Sequence, residues 1–98
     1  MITSIEPGLY RPGRWGIRIE NLVLNRPVAT PEGDAFGEFL EFETLTLCPI
    51  DLNLVERGLL SAAEIAWLNA YHGRVRAEIA PLVDAGTAKW LEGATRAI

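Results

Sequence analysis

The tetrapeptide Arg11-Pro12-Gly13-Arg14 imposes a chain reversal near the N-terminus. Proline presets φ, and glycine admits the left-handed backbone that a tight turn needs. The flanking residues, from Ile2 to Leu24, read as two antiparallel strands around that turn. With the turn centred on Gly13, opposed residues have numbers that sum to 26, and Glu6 falls opposite Glu20. The two-residue period of a strand sends Glu6, Gly8, Tyr10, Arg18 and Glu20 to one face and Ile5, Leu9, Ile17, Ile19 and Val23 to the other. The apolar face is the expected core side of the hairpin.

Downstream, Asn25 to Gly37 contains two prolines and two glycines with little apolar periodicity, so it reads as an exposed loop that includes Asp34. Phe39 to Ile50 reads as a third strand, stopped by Pro49, with Glu41 and Glu43 on one side. Ser61 followed by Glu64 is a capping-box pattern, and Ile65, Leu68, Val75 and Ile79 recur at helical spacing as a core stripe, which predicts a helix over about Ala62 to Ala80. Asp84-Ala85-Gly86-Thr87 interrupts that pattern, with Thr87 placed to cap a short last helix carrying Trp90 and Leu91. The expected class is α+β, a small antiparallel sheet in residues 1–50 followed by a helical segment in 51–98.

Composition removes several functions. A net charge of −4 offers no electrostatic footprint for nucleic acid, and 49% hydrophobic residues argue against disorder. The longest apolar run, around Leu59 to Ala63, is far shorter than the roughly 20 residues of a membrane span. The N-terminus has no basic stretch leading into an apolar one, so a soluble cytoplasmic protein is expected. Cys48 is the single cysteine, which excludes an internal disulfide, and it reads as a small buried apolar residue. Trp67 and Trp90 are candidates for packing or for a partner surface.

Two acids facing each other in a hairpin repel unless a cation lies between them. Paired metal ions about 3.5–4 Å apart, as in dinuclear hydrolases, suit carboxylates at that spacing and lower the pKa of a shared water. The alternative is a solvated sheet face on which Arg18 screens Glu6 and Glu20. His72, near the polar edge of the long helix, reads as structural rather than as a ligand.

Ile5-Glu6-Pro7-Gly8-Leu9-Tyr10 and Gly16-Ile17-Arg18-Ile19-Glu20-Asn21 resemble two signature strands of aminopeptidase P and its pita-bread relatives. The similarity continues through Phe42-Glu43-Thr44-Leu45-Thr46-Leu47-Cys48-Pro49-Ile50-Asp51 and Ile65-Ala66-Trp67-Leu68-Asn69-Ala70-Tyr71-His72, which look like the C-terminal extension of longer Xaa-Pro aminopeptidases. The resemblance implies a pita-bread fold and removal of an N-terminal residue that precedes proline. It also implies two manganese ions, with Glu6 as a ligand, Glu20 as the bridging carboxylate, and Tyr10 and Arg18 in the hydrogen-bond network beside the metals.

The family also uses two aspartates and a histidine as ligands, all from strands preceding the Glu-Pro-Gly motif. Met1 stands five residues before Glu6 here, and Asp34, Asp51 and His72 do not replace those groups. The chain is therefore expected to be the C-terminal part of such an enzyme, truncated, with no metal bound and no activity by itself, and with Glu6 and Glu20 exposed or rearranged. Two further readings stand beside this one. The chain is a non-enzymatic docking or oligomerisation module, self-associating as a homodimer, or it is half of a site that a partner chain completes.

Overall fold

The computed structural model describes residues 1–33 and 36–98, so Asp34 lies outside the described residues. The chain forms two compact units, Met1–Thr46 and Leu47–Ile98. The first is all strand: β1 (Ile2–Ile5), β2 (Gly8–Arg11), β3 (Trp15–Arg18), β4 (Asn21–Val28) and β5 (Phe39–Thr44). The second is helical, with α1 (Ala62–Ile79) and α2 (Ala85–Ala94) preceded and joined by short 3-10 turns. Small antiparallel sheets plus two helices make an α+β protein, as the sequence pattern implies.

The reversal is a β-turn in which the Arg14 N–H donates to the Arg11 carbonyl at 2.9 Å. Gly13 has φ +72° and follows Pro12, the signature of a type II turn. From it the register runs as expected: Arg11 faces Trp15 and Gly8 faces Arg18 in the two-stranded β2–β3 sheet, and Ile5 faces Asn21 and Ile2 faces Leu24 in β1–β4. One long hairpin is thus divided in two, and the division falls at Glu6-Pro7. The Ile19 N–H donates to the Pro7 carbonyl at 3.1 Å, but proline has no N–H to return the bond, so the ladder has a gap.

Strand β4 continues through Val28 and pairs with β5, Arg26 opposite Glu41 and Pro27 opposite Leu40. Asn25–Val28 is therefore strand, not the start of a loop. Pro27 is tolerated because β1 pairs only as far as Leu24, leaving β4 with β5 alone as its neighbour there. Glu41 and Glu43 share one side, as their spacing predicts, and both reach Arg26, at 2.8 and 3.2 Å.

The apolar face of the hairpin is not a core. Among the described residues of the first unit only Val23 is buried, at 3% exposure, while Ile5, Leu9, Ile17 and Ile19 stay open to solvent. The described elements of the first unit are strands paired edge to edge, with no helix of that unit to lay on the face.

Strand β5 also stops earlier than expected, at Thr44 rather than near Ile50. Leu47–Leu52 instead lies on α1 within the second unit, where Leu47, Ile50 and Leu52 pack against the cluster of Leu68, Tyr71, Val75 and Leu91. The Tyr71 hydroxyl accepts the Cys48 N–H at 3.3 Å and donates to the Cys48 carbonyl at 2.7 Å. The Cys48 backbone is consumed by these bonds, while its side chain is exposed, contrary to the expectation of a buried residue.

Helix α1 begins at the anticipated capping box: Ser61 Oγ accepts the Glu64 N–H at 3.2 Å, and Glu64 accepts the Ser61 N–H at 2.8 Å. Along the expected stripe Leu68 and Val75 are buried, and Ile65 and Ile79 are half-buried. The cap of α2 is Asp84, not Thr87. Asp84 Oδ1 accepts the Thr87 N–H at 2.7 Å, a bond that also lowers the Asp84 pKa from its ordinary value. No described helix is long and apolar enough to cross a membrane.

Candidate metal-carboxylate site

Glu6 and Glu20 sit at the ladder gap. The pairs on either side sum to 26, so by count the two glutamates oppose one another. The hydrogen bonds from Ile19 to Pro7 and from Asn25 to Met1 fall on odd-numbered pairs, which makes the Glu6 and Glu20 positions a non-hydrogen-bonded pair. Opposed Cα atoms at such positions lie about 4.5 Å apart in a regular ladder. Both glutamates are exposed.

Arg18 lies two residues before Glu20 on the same face, and its Nε is 3.2 Å from a Glu20 carboxylate oxygen. Both side chains are substantially exposed, so the pair orients Glu20 more than it stabilises the fold. On the same face the Tyr10 ring lies against the backbone of Gly8 and Gly16. The carboxylates, Arg18 and Tyr10 thus form one polar face on the side of the hairpin away from Val23.

Among the described residues no cluster of three or more His, Cys, Asp or Glu side chains could hold a metal ion. Two carboxylates do not complete a coordination shell, so the residues present do not by themselves fit a dinuclear centre.

His72 belongs to a different environment. It is fully buried in the second unit, not at a polar edge, and its Nε2 accepts the Ile50 N–H at 3.0 Å. Burial and then the Arg76 charge lower its pKa below 6.5. Sequence periodicity missed this role because the partner is a backbone amide 22 residues earlier in the chain. Trp67 stacks on Tyr71 with centroids 5.2 Å apart, and Trp90 is largely exposed.

A family model described as the C-terminal region of peptidase M24 matches residues 38–98. The chain belongs to that family. Over 97 residues it is 43% identical to aminopeptidase P2 of Arabidopsis thaliana, which covers 98% of this chain and 14% of the plant protein. It is also 43% identical, over 93 residues, to a probable Xaa-Pro aminopeptidase P of Laccaria bicolor. Among solved structures it matches X-prolyl aminopeptidase from Caenorhabditis elegans, described as a cytosolic enzyme with a di-nuclear active site. That match has a TM-score of 0.88 at 37% identity and covers 99% of this chain and 16% of the nematode chain. The chain therefore spans only about one-seventh of the length of the peptidase M24 relatives that it matches.

Proposed function

We propose that the peptidase M24 chain supplies two carboxylates, Glu6 and Glu20, to the dinuclear manganese site of an Xaa-Pro aminopeptidase that removes an N-terminal residue preceding proline. The observation that carries this reading is the hairpin register, which opposes Glu6 and Glu20 at a gap in the ladder. The similarity to an enzyme with a di-nuclear active site supports it.

In this reading Glu6 and Glu20 would be the two residues of this chain that hold the ions. The bound metals would supply a water acidic enough to attack a peptide carbonyl. Arg18 holds the Glu20 carboxylate in place through the 3.2 Å contact, and Tyr10 borders the pair on the same face. Residues 1–50 belong to the catalytic domain and 51–98 to a helical extension. The remaining ligands come from residues outside these 98, so the chain alone is silent, and the compartment is the cytosol, as for the nematode relative.

A second reading, a docking or self-associating module, is favoured by the open apolar face of the first unit, where Leu9, Trp15 and Phe42 are exposed.

Calorimetric titration of the 98-residue chain and of Glu20→Ala with manganese, together with an Xaa-Pro peptide assay, tests the proposal. It predicts no tight binding and no turnover by the chain alone. Turnover that depends on Glu20 would mean that copies of the chain assemble the site themselves.

A further inference from the structure

We infer that Gly8 and Gly16 are positioning residues, forming a flat bed that lays the Tyr10 ring along the hairpin with its hydroxyl at the end nearer the Glu6 and Glu20 positions. The functional value of this placement rests on the metal-carboxylate reading above; the placement itself does not.

Tyr10 faces Gly16 directly across β2–β3, and Gly8 precedes Tyr10 by two residues on the same face. A Cβ added at Gly16 would stand 2.5 Å from Tyr10 Cδ1 and 3.1 Å from Cε1. One added at Gly8 would stand 2.6 Å from the Tyr10 hydroxyl oxygen and 2.8 Å from Cε2. The ring therefore lies flat on backbone at both positions, its Cδ1 edge over Gly16 and its hydroxyl end over Gly8. Gly8 faces Arg18 and is the neighbour of Glu6 on that face, so the hydroxyl lies at the end of the ring nearer the Glu6 and Glu20 positions.

Any side chain at either position occupies the space of the ring. Neither glycine has a positive φ, so backbone conformation does not require it. The ring requires it instead. Because the atoms over Gly8 are the far end of a rotatable side chain, Gly8→Ala should lift the ring without unfolding the hairpin.

The test is NMR on the 98-residue chain, reading the Hα resonances of both glycines. A ring lying flat on them shifts these resonances upfield in the wild type. The shift should persist in Tyr10→Phe, which keeps the ring, and vanish in Tyr10→Leu. In Gly8→Ala the Gly16 Hα shift should collapse, while Gly73→Ala, where an added Cβ meets open space, leaves it unchanged. Dispersed amide spectra establish that each variant folds. A Gly16 Hα that does not move in Tyr10→Leu, or that keeps its full shift in Gly8→Ala, overturns the inference.

The metal reading is tested apart from this, because it expects no tight manganese binding by the chain alone. It is read in Arabidopsis aminopeptidase P2 carrying this chain in place of the aligned segment, where loss of Xaa-Pro turnover in Glu6→Gln and in Glu20→Gln supports it. Collapse of the glycine shifts in Gly8→Ala together with full turnover in both glutamate variants leaves the bed intact and counts against the metal reading alone.

Discussion

Buried His72 accepts the Ile50 amide at 3.0 Å through Nε2, one residue along α1 from Tyr71, whose hydroxyl takes both backbone groups of Cys48. Two consecutive side chains thereby hold the Cys48–Ile50 segment on the helix. With Nε2 accepting, the neutral ring carries its proton on Nδ1, which is buried with no hydrogen-bond partner among the described residues. Protonating Nε2 would break the bond to Ile50, so the fold requires the neutral imidazole.

This sets a pH dependence. The folded pKa of His72 is lowered from 6.5, so below that value the unfolded chain binds more protons than the folded one. Stability is fully present above pH 6.5 and declines as pH falls toward the folded pKa, with a slope of at most about 1.4 kcal/mol per pH unit from this one group. Arg76 acts in the same direction. Urea unfolding between pH 7 and 5 should show the decline, and His72→Gln, which keeps an acceptor but does not titrate, should flatten it.

Tyr71→Phe should cost about 1–3 kcal/mol, because it leaves the Cys48 N–H and carbonyl without partners in a partly buried position. The Trp67 stack survives that change, so a smaller loss would mean that water replaces the hydroxyl. Equilibrium denaturation followed by tryptophan fluorescence reads the difference.

Local chemistry made the hairpin legible. Pro12-Gly13 determined the turn and the turn determined the register, so the opposition of Glu6 and Glu20 follows from numbering alone. The Ser61 capping box likewise announced α1 within a residue at each end. What stayed hidden depended on distant partners. Asn25–Val28 looked like loop because Pro27 is a poor strand residue, and only the absence of a second neighbour makes it acceptable. Leu47–Ile50 looked like strand because its residues favour extended backbone, but beyond the Leu45 N–H, which still donates to the Leu22 carbonyl, the Cys48 and Ile50 amides bond to Tyr71 and His72 instead of to a ladder. The exposure of Ile5 and Leu9 could not be read from alternation, which identifies an apolar face but not whether anything covers it.

Ser61→Ala removes the acceptor for the Glu64 N–H and should destabilise the second unit by about 1 kcal/mol. Ser61→Asp should retain most of the stability, because it keeps an acceptor and adds a negative charge at the helix N-terminus. Thermal unfolding monitored by circular dichroism at 222 nm compares the two.

Arg26 meets Glu41 and Glu43 on an exposed sheet face, so Arg26→Ala should cost no more than about 1 kcal/mol despite breaking two ion pairs. The loss should shrink further in 1 M salt. A larger, salt-independent loss would show that the arginine stem packs on the sheet.

The open apolar face predicts concentration-dependent self-association of the isolated chain, with Leu9, Trp15 and Phe42 as its exposed residues. Phe42→Glu should lower the sedimentation coefficient at high concentration toward that of a monomer.

The most direct test of Glu6 and Glu20 as metal carboxylates is to replace the aligned segment of the Arabidopsis aminopeptidase P2 with this chain and to measure kcat/KM for an Xaa-Pro peptide in manganese. The chimera should turn over the peptide. Glu6→Gln or Glu20→Gln should each lower kcat/KM by more than the roughly 10–100-fold typical of changes to residues that only orient a ligand, with Arg18→Ala falling within that range. A chimera that cleaves the peptide equally well with both glutamates changed would contradict that role.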